Sequence, residues 1–167
     1  MKATLKLNDG REIAVDVSEE TLKQIEKPMK KTGYEKKLFG CFYSINSINE
    51  IVTNTHSSTY DDEMYQTANY YSDKTIARNN ARADALKRKL RRFAVEHRES
   101  ELAWNNPSQN KWEIYYYYTR KELQVAAYNN CQSFGNIYFD TAKTAEAAIE
   151  EFKDELIWYF TEYKDSL

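Results

Sequence analysis

Two cysteines, two histidines, two prolines and four glycines are all that these 167 residues hold of those types. Each shortage closes a class of explanation. Cys41 and Cys131 lie far apart, with no Cys-x-x-Cys spacing, which argues against a disulfide scaffold and for a reducing cytosol. Both sit beside apolar strand residues and read as packing. His56 and His97 have no Glu or Cys partner at metal-ligand spacing and read as surface residues. There is no Gly-x-Ser-x-Gly, no phosphate-cradling glycine loop and no Cys beside a His, so no catalytic residue is expected. So few Gly and Pro exclude a low-complexity chain. No apolar run approaches membrane-spanning length, and Met1 to Lys6 has no apolar h-region. The expectation is a cytoplasmic protein with no membrane association, no cofactor and no metal. Asp61, Asp62 and Glu63 form a carboxylate run, but no calcium-loop glycine follows. They read as the cap of a short helix from Asp61 to Ala68.

What is abundant is tyrosine, with 14 copies, and charge, at 30% of residues. Tyr joins a rigid apolar ring to a polar tip and suits both sheets and contact surfaces. The charge is segregated. Between Asp73 and Arg98 stand nine basic residues against three acidic, and between Asp140 and Asp165 three basic against eight acidic, in a chain whose net charge is only −2. Segregation of this kind steers partners.

The pattern predicts an α+β fold of antiparallel hairpins packed by two long helices, with an N-terminal ββα appendage. Residues 1–17 read as a hairpin around Asn8-Asp9-Gly10. A three-residue loop pairs Leu5 with Ile13 and Ala3 with Val15, and sets Lys6 opposite Glu12 and Lys2 opposite Asp16. That register gives one apolar face and places Gly10 in a left-handed bulge. A helix capped by Ser18 follows and ends by Pro28. The expected organisation is an appendage over 1–27, a charged linker over 28–37 and a body over 38–167.

In the body, 42–45 and 50–53 read as a hairpin, and Asp73 caps the basic helix. That helix turns Ile76, Ala83, Leu86, Leu90, Phe93 and Ala94 to the core. Ala77, Ala81 and Ala85 form a small-residue strip. After a polar loop over 99–110, residues 111–118 and 122–128 form a second hairpin, 137–139 a short strand, and Thr141 caps the acidic helix. Its apolar stripe runs from Ala145 through Ala148, Ile149, Phe152 and Leu156 to Tyr159, Phe160 and Tyr163, with Ile157 and Trp158 projecting away. Tyr70-Tyr71-x-Asp73-x-x-x-Ala77 matches Tyr138-Phe139-x-Thr141-x-x-x-Ala145, which leaves open an internal duplication of two hairpin–helix halves.

The opening Ala3 to Ile13 with Ser18-Glu19-Glu20 resembles that of small accessory proteins of phages and integrated mobile elements of Gram-positive gut bacteria. So do Thr32-Gly33-Tyr34-Glu35, Phe42 to Ser47, Ala68 to Asp73, Ile137 to Asp140, and Phe152 to Phe160. These motifs are turns, caps and core aromatics. The resemblance implies a genomic context that includes anti-CRISPR and other anti-defence inhibitors, and no chemistry.

Two surfaces are therefore candidates. On the acidic helix, Glu150, Glu151, Asp154, Glu155 and Glu162 ring Trp158, which reads equally as an aromatic anchor among carboxylates suited to a basic partner or as a ring packed against a neighbouring element. The expected function is non-enzymatic inhibition of a bacterial defence protein or nucleoprotein complex, such as a CRISPR nuclease, by direct protein binding. On the basic helix, Arg78, Arg82, Lys89 and Arg92 share an arc that could hold nucleic-acid phosphates. An isoelectric point of about 5.8 weighs against that alternative. Pairing of the two helices, within one chain or across a homodimer, is the third arrangement the charges permit.

Overall fold

The computed structural model describes residues 2–6, 10–16, 18, 31–37, 40–55 and 57–165. The chain divides into two units, Met1–Thr32 and Gly33–Leu167.

In the first unit, β1 (Lys2–Lys6) pairs antiparallel with β2 (Glu12–Asp16). Leu5 faces Ile13, Ala3 faces Val15 and Lys6 faces Glu12, the register that a three-residue loop implies. Gly10 has φ +86°, the left-handed conformation glycine adopts without a Cβ penalty. The helix expected after Ser18 lies outside the described residues.

The second unit is built from two hairpin–helix halves. In the first half, β3 (Cys41–Ile45) pairs with β4 (Ile51–Thr55), followed by α1 (Ser58–Gln66) and α2 (Lys74–Glu96). In the second, β5 (Lys111–Tyr117) pairs with β6 (Glu122–Tyr128), followed by α3 (Ala142–Thr161). With β1 and β2 these make three separate two-stranded sheets among the described residues, so the class is α+β.

The halves share a local device. Just before each long helix, the chain crosses the first strand of its own hairpin and exchanges a pair of backbone hydrogen bonds with it. Tyr71 does this with Tyr43 at 2.8 and 2.9 Å, and Phe139 with Trp112 at 2.8 and 2.7 Å. Residues 137–139, expected as a strand, therefore contribute this single bridge. Two residues later each helix is capped: Asp73 accepts from the N–H groups of Thr75 and Ile76, and Thr141 from that of Thr144. Four residues further on stand Ala77 and Ala145, both with no exposed surface. The bridge and cap together fix where each helix leaves its hairpin.

An isolated two-stranded hairpin is marginal in water, so each must be covered by a helix. α2 lies on β3 and β4, α3 on β5 and β6, and the two helices lie against each other. Leu86, Leu90 and Ala94 of α2 form one buried cluster with Phe139 and with Ala145, Ala148, Ile149 and Leu156 of α3. Trp112, Ile114, Leu123 and Val125 of the second hairpin close it from the sheet side. Burying each large apolar side chain of this set contributes about 1.5–3 kcal/mol. The strip formed by Ala77, Ala81 and Ala85 has a neighbour from the first hairpin: the Asn49 side chain donates to the Ala81 carbonyl at 2.9 Å.

Three expectations require correction. The helix expected from Asp61 to Ala68 starts and ends earlier. Asp61 is fully buried in the first turn, where its carboxylate accepts from the Ser57 N–H. The chain leaves this helix through Ala68 at φ +55°, a conformation usually given to glycine. Cys41 and Cys131 are exposed, because β3 buries its alternate residues Phe42 and Ser44 and because Cys131 lies beyond the end of β6.

The third concerns the charged linker, whose residues 33–37 belong to the second unit. The Gly33 carbonyl accepts from Ser72 N–H at 2.7 Å, and Glu35 accepts from the Gly33 N–H and the Ser72 hydroxyl. Lys36 pairs with Asp62, and the Lys37 N–H donates to the Tyr70 hydroxyl. Gly33 has φ +91°, and a Cβ there would lie 2.7 Å from Ile76 Cγ1. Gly33→Ala combines a left-handed conformation costing about 1–2 kcal/mol with a collision against a buried side chain. We expect it to lower stability by about 2 kcal/mol or more in urea titration.

Asp140 ties the end of α2 to the start of α3. It is buried, and its Oδ2 accepts from the N–H groups of Glu99 at 2.6 Å and Ser100 at 2.9 Å. Burial pushes its carboxyl up. The N–H groups of Ser100, Glu99 and Asp140 itself, with the Thr144 side chain, outweigh that and hold it below the ordinary 3.8. A depressed folded-state value contributes stability above pH 3.8 that is lost as pH falls through it. Asp140→Asn is expected to cost about 1.5–3 kcal/mol at pH 7, with the two urea curves converging in acid below pH 3.8.

Candidate functional site

The two charged helices meet at Arg82. Its guanidinium forks onto Glu155 of α3, with Nε 2.8 Å from Oε2 and Nη2 3.1 Å from Oε1. Its central carbon stands 3.9 Å from the centroid of the Trp158 ring. One arginine thus satisfies a carboxylate edge-on and an aromatic ring face-on, as its planar, weakly hydrated head allows and a lysine does not. Arg82 holds the Glu155 carboxyl below the usual range, and the Lys89 charge adds to this.

Trp158 is consequently not an exposed anchor. Only 8% of it is accessible, against 36% for its neighbour Ile157. The helical wheel sets it off the core stripe, and the later stripe members Leu156, Tyr159 and Phe160 do pack on the core across the non-helical Phe152 (φ −114°, ψ 21°). Trp158 is buried from the flank instead, by the Arg82 guanidinium laid over its ring. Trp158 joins the interior between Arg82 and Tyr163, whose ring lies 5.7 Å away.

Tyr163 continues the junction. Its hydroxyl donates to Asn80 Oδ1 at 3.1 Å, and Asn80 Nδ2 donates to the Tyr34 hydroxyl at 2.9 Å. Burial pushes the Tyr163 and Tyr71 hydroxyls up to about 12, with Tyr34 and Asp84 adding to the effect. Asn80 therefore staples both the segment at Tyr34 and the segment at Tyr163 to α2.

The remaining candidates divide between engaged and open groups. Glu150, Glu151, Asp154 and Glu162 are exposed, and make no ion pair with a described residue. Arg78 and Lys89 are exposed on the basic arc, whereas Arg92 approaches Glu96 at 3.8 Å on its own helix. Between them the helices cancel one pair of charges and leave Glu150, Glu151, Asp154, Glu162, Arg78 and Lys89 facing water.

Two features carried no sequence signal. Lys111 is completely buried: its ammonium donates to the carbonyls of Asn106 and Gln109 at 2.8 Å each, beneath the Trp104 ring at 5.4 Å. It organises the polar loop before β5, and alternation along the strand gives it the same parity as exposed Tyr117. The other is a groove beside α2 and α3. Among the described residues no group of three His, Cys, Asp or Glu could hold a metal ion, and no helix is long and apolar enough to cross a membrane. His97 is exposed and stacks on Phe93; His56 lies outside the described residues.

No family model, no curated protein and no solved structure matches the chain.

Arg82 and Glu155 keep 44% and 38% of their side chains exposed, so water screens the pair. A double-mutant cycle with Arg82→Ala and Glu155→Ala is expected to give a coupling on the order of 1 kcal/mol that shrinks with added salt. Arg82→Lys is expected to recover less than half of it, read by urea unfolding.

Proposed function

We propose that this protein acts by stoichiometric binding rather than chemistry, presenting the outer face of α3 to a partner with a basic surface. The observation that carries the reading is the division of the carboxylates on α3. Glu155 is consumed internally by Arg82, while Glu150, Glu151 and Asp154 stand exposed with no ion pair among the described residues. Unpaired surface charge of one sign steers encounter with the opposite sign and rejects like-charged competitors. The recognition surface is therefore narrower than a ring around Trp158. It comprises Glu150, Glu151 and Asp154, with Glu162 beyond the break, and Ile157 is the exposed apolar side chain nearest in sequence.

The partner class rests on the resemblance to phage and mobile-element proteins: a bacterial defence protein or nucleoprotein complex whose nucleic-acid path is lined by Lys and Arg, such as a CRISPR nuclease. A row of carboxylates would compete for that path as a nucleic acid does. The basic helix is the weaker reading, because Arg82 is committed to Glu155 and Arg92 faces Glu96, leaving Arg78 and Lys89 of the four arc residues.

The test is inhibition of DNA cleavage by a candidate nuclease, with direct binding measured alongside. Reversing Glu150, Glu151 and Asp154 to Lys is expected to weaken binding on the order of a hundredfold, mainly through the association rate. Trp158→Ala acts through stability alone. Unchanged inhibition by the reversed variant rejects the acidic-face reading. Nucleic-acid binding that falls steeply with salt and is lost in Arg78→Ala/Lys89→Ala selects the basic helix instead.

A further inference from the structure

A groove of about 320 Å³ opens between α2, β5, the segment 135–139 and α3. Its floor is part of the core: Leu86, Leu90, Phe139 and Leu156, none more than 7% exposed. Protein interiors leave few voids larger than a water molecule. An engineered apolar cavity of about 150 Å³ stays dry and takes up benzene. This groove has about twice that room, enough for two fused rings or a medium-length alkyl chain.

Two charged side chains stand at its rim, and they differ in how they are occupied. Glu113 accepts from Asn136 Nδ2 at 2.5 Å and also holds the Tyr128 hydroxyl. Lys87, on α2, makes no ion pair among the described residues. Its ammonium lies 5.6 Å from the centroid of Tyr159, whose ring forms part of the same wall. Glu113 keeps its negative charge but is already engaged by Asn136 and Tyr128, so among the described residues Lys87 is the rim charge left without a hydrogen-bond partner. The complement of that arrangement is an apolar body ending in one negative group.

We propose that the groove binds a small amphipathic carboxylate, its apolar body against the partly accessible Ile114, Ile137, Tyr159 and Phe160 and its carboxylate at Lys87. None of Glu150, Glu151 and Asp154 lines the groove, so this site stands or falls separately from the acidic face.

The test is an NMR titration of the full ¹⁵N-labelled chain with naphthalene-2-carboxylate and with decanoate, using naphthalene-2-methanol as a same-shaped uncharged control. Both carboxylates are expected to give saturable shifts that map to the groove, and the alcohol to bind about tenfold more weakly. Lys87→Met is expected to lower carboxylate affinity about tenfold and leave that of the alcohol unchanged. Ile137→Phe, which fills the wall, is expected to abolish binding of all three. Lys87 is half-exposed, so the charge arm stands even where Ile137→Phe fails to fold. The proposal is overturned if neither carboxylate gives saturable shifts. It is equally overturned if the shifts map elsewhere, or if carboxylate and alcohol bind equally well and ignore Lys87→Met.

Discussion

Ala145 and Ala148 have no exposed surface, and they share one cluster with Leu86, Leu90 and Ala94 of the opposing helix. Small residues on one helix set against leucines on the other allow close approach of the two axes. On that contact the second unit depends. Each hairpin has only two strands and cannot persist alone. Each is covered by its own helix, and the helices are covered by each other. The bridge at Tyr71 and the bridge at Phe139 set the departure point of each helix, and the caps at Asp73 and Thr141 set its first turn. Given those fixed starts, the apolar stripes of α2 and α3 come into register without any covalent tie.

Charge is arranged around this apolar seam rather than within it. Among the described residues the charged pair between the long helices, Arg82 with Glu155, is half in water and contributes more to alignment than to free energy. Its stacking on Trp158 removes the tryptophan from the surface and leaves α3 an outer face of exposed carboxylates. That face supports the proposed binding reading. The groove bounded by Lys87 is a separate opportunity created by the same seam, where the second hairpin and the two helices fail to close on one another.

Much of the architecture was legible. Alternation and turn residues located the hairpins, including the register of β1 with β2, because a one-residue slip would have exchanged their faces. Asp73 and Thr141 declared the helix starts, and 3.6-residue periodicity picked out Leu86, Leu90, Ala94, Ala145, Ala148 and Ile149. What failed has physical causes. The stop of α1 was misplaced because a left-handed Ala68 stands where glycine would signal an end. Residues 33–37 looked like a linker because their charges are what fastens them, through Glu35 to Ser72 and Lys36 to Asp62. The candidate site was half legible. The exposed carboxylates of α3 were found, but a wheel reads one helix at a time and could not show that Arg82 of α2 would cover Trp158. The buried Lys111 satisfies itself on backbone carbonyls, which have no sequence identity to read.

The junction of Arg82, Glu155 and Trp158 has a consequence for how such a surface can change over descent. The guanidinium serves two clients with one rigid plane, so losing any of the three leaves the others mismatched: an ammonium cannot fork, a neutral side chain cannot anchor it, and an aliphatic one cannot accept its face. Substitutions at these positions are therefore coupled, each changing the cost of the next. Glu150, Glu151 and Asp154, a turn or so away, are bound by no such reciprocity. The outward face of the helix is less constrained than the junction behind it.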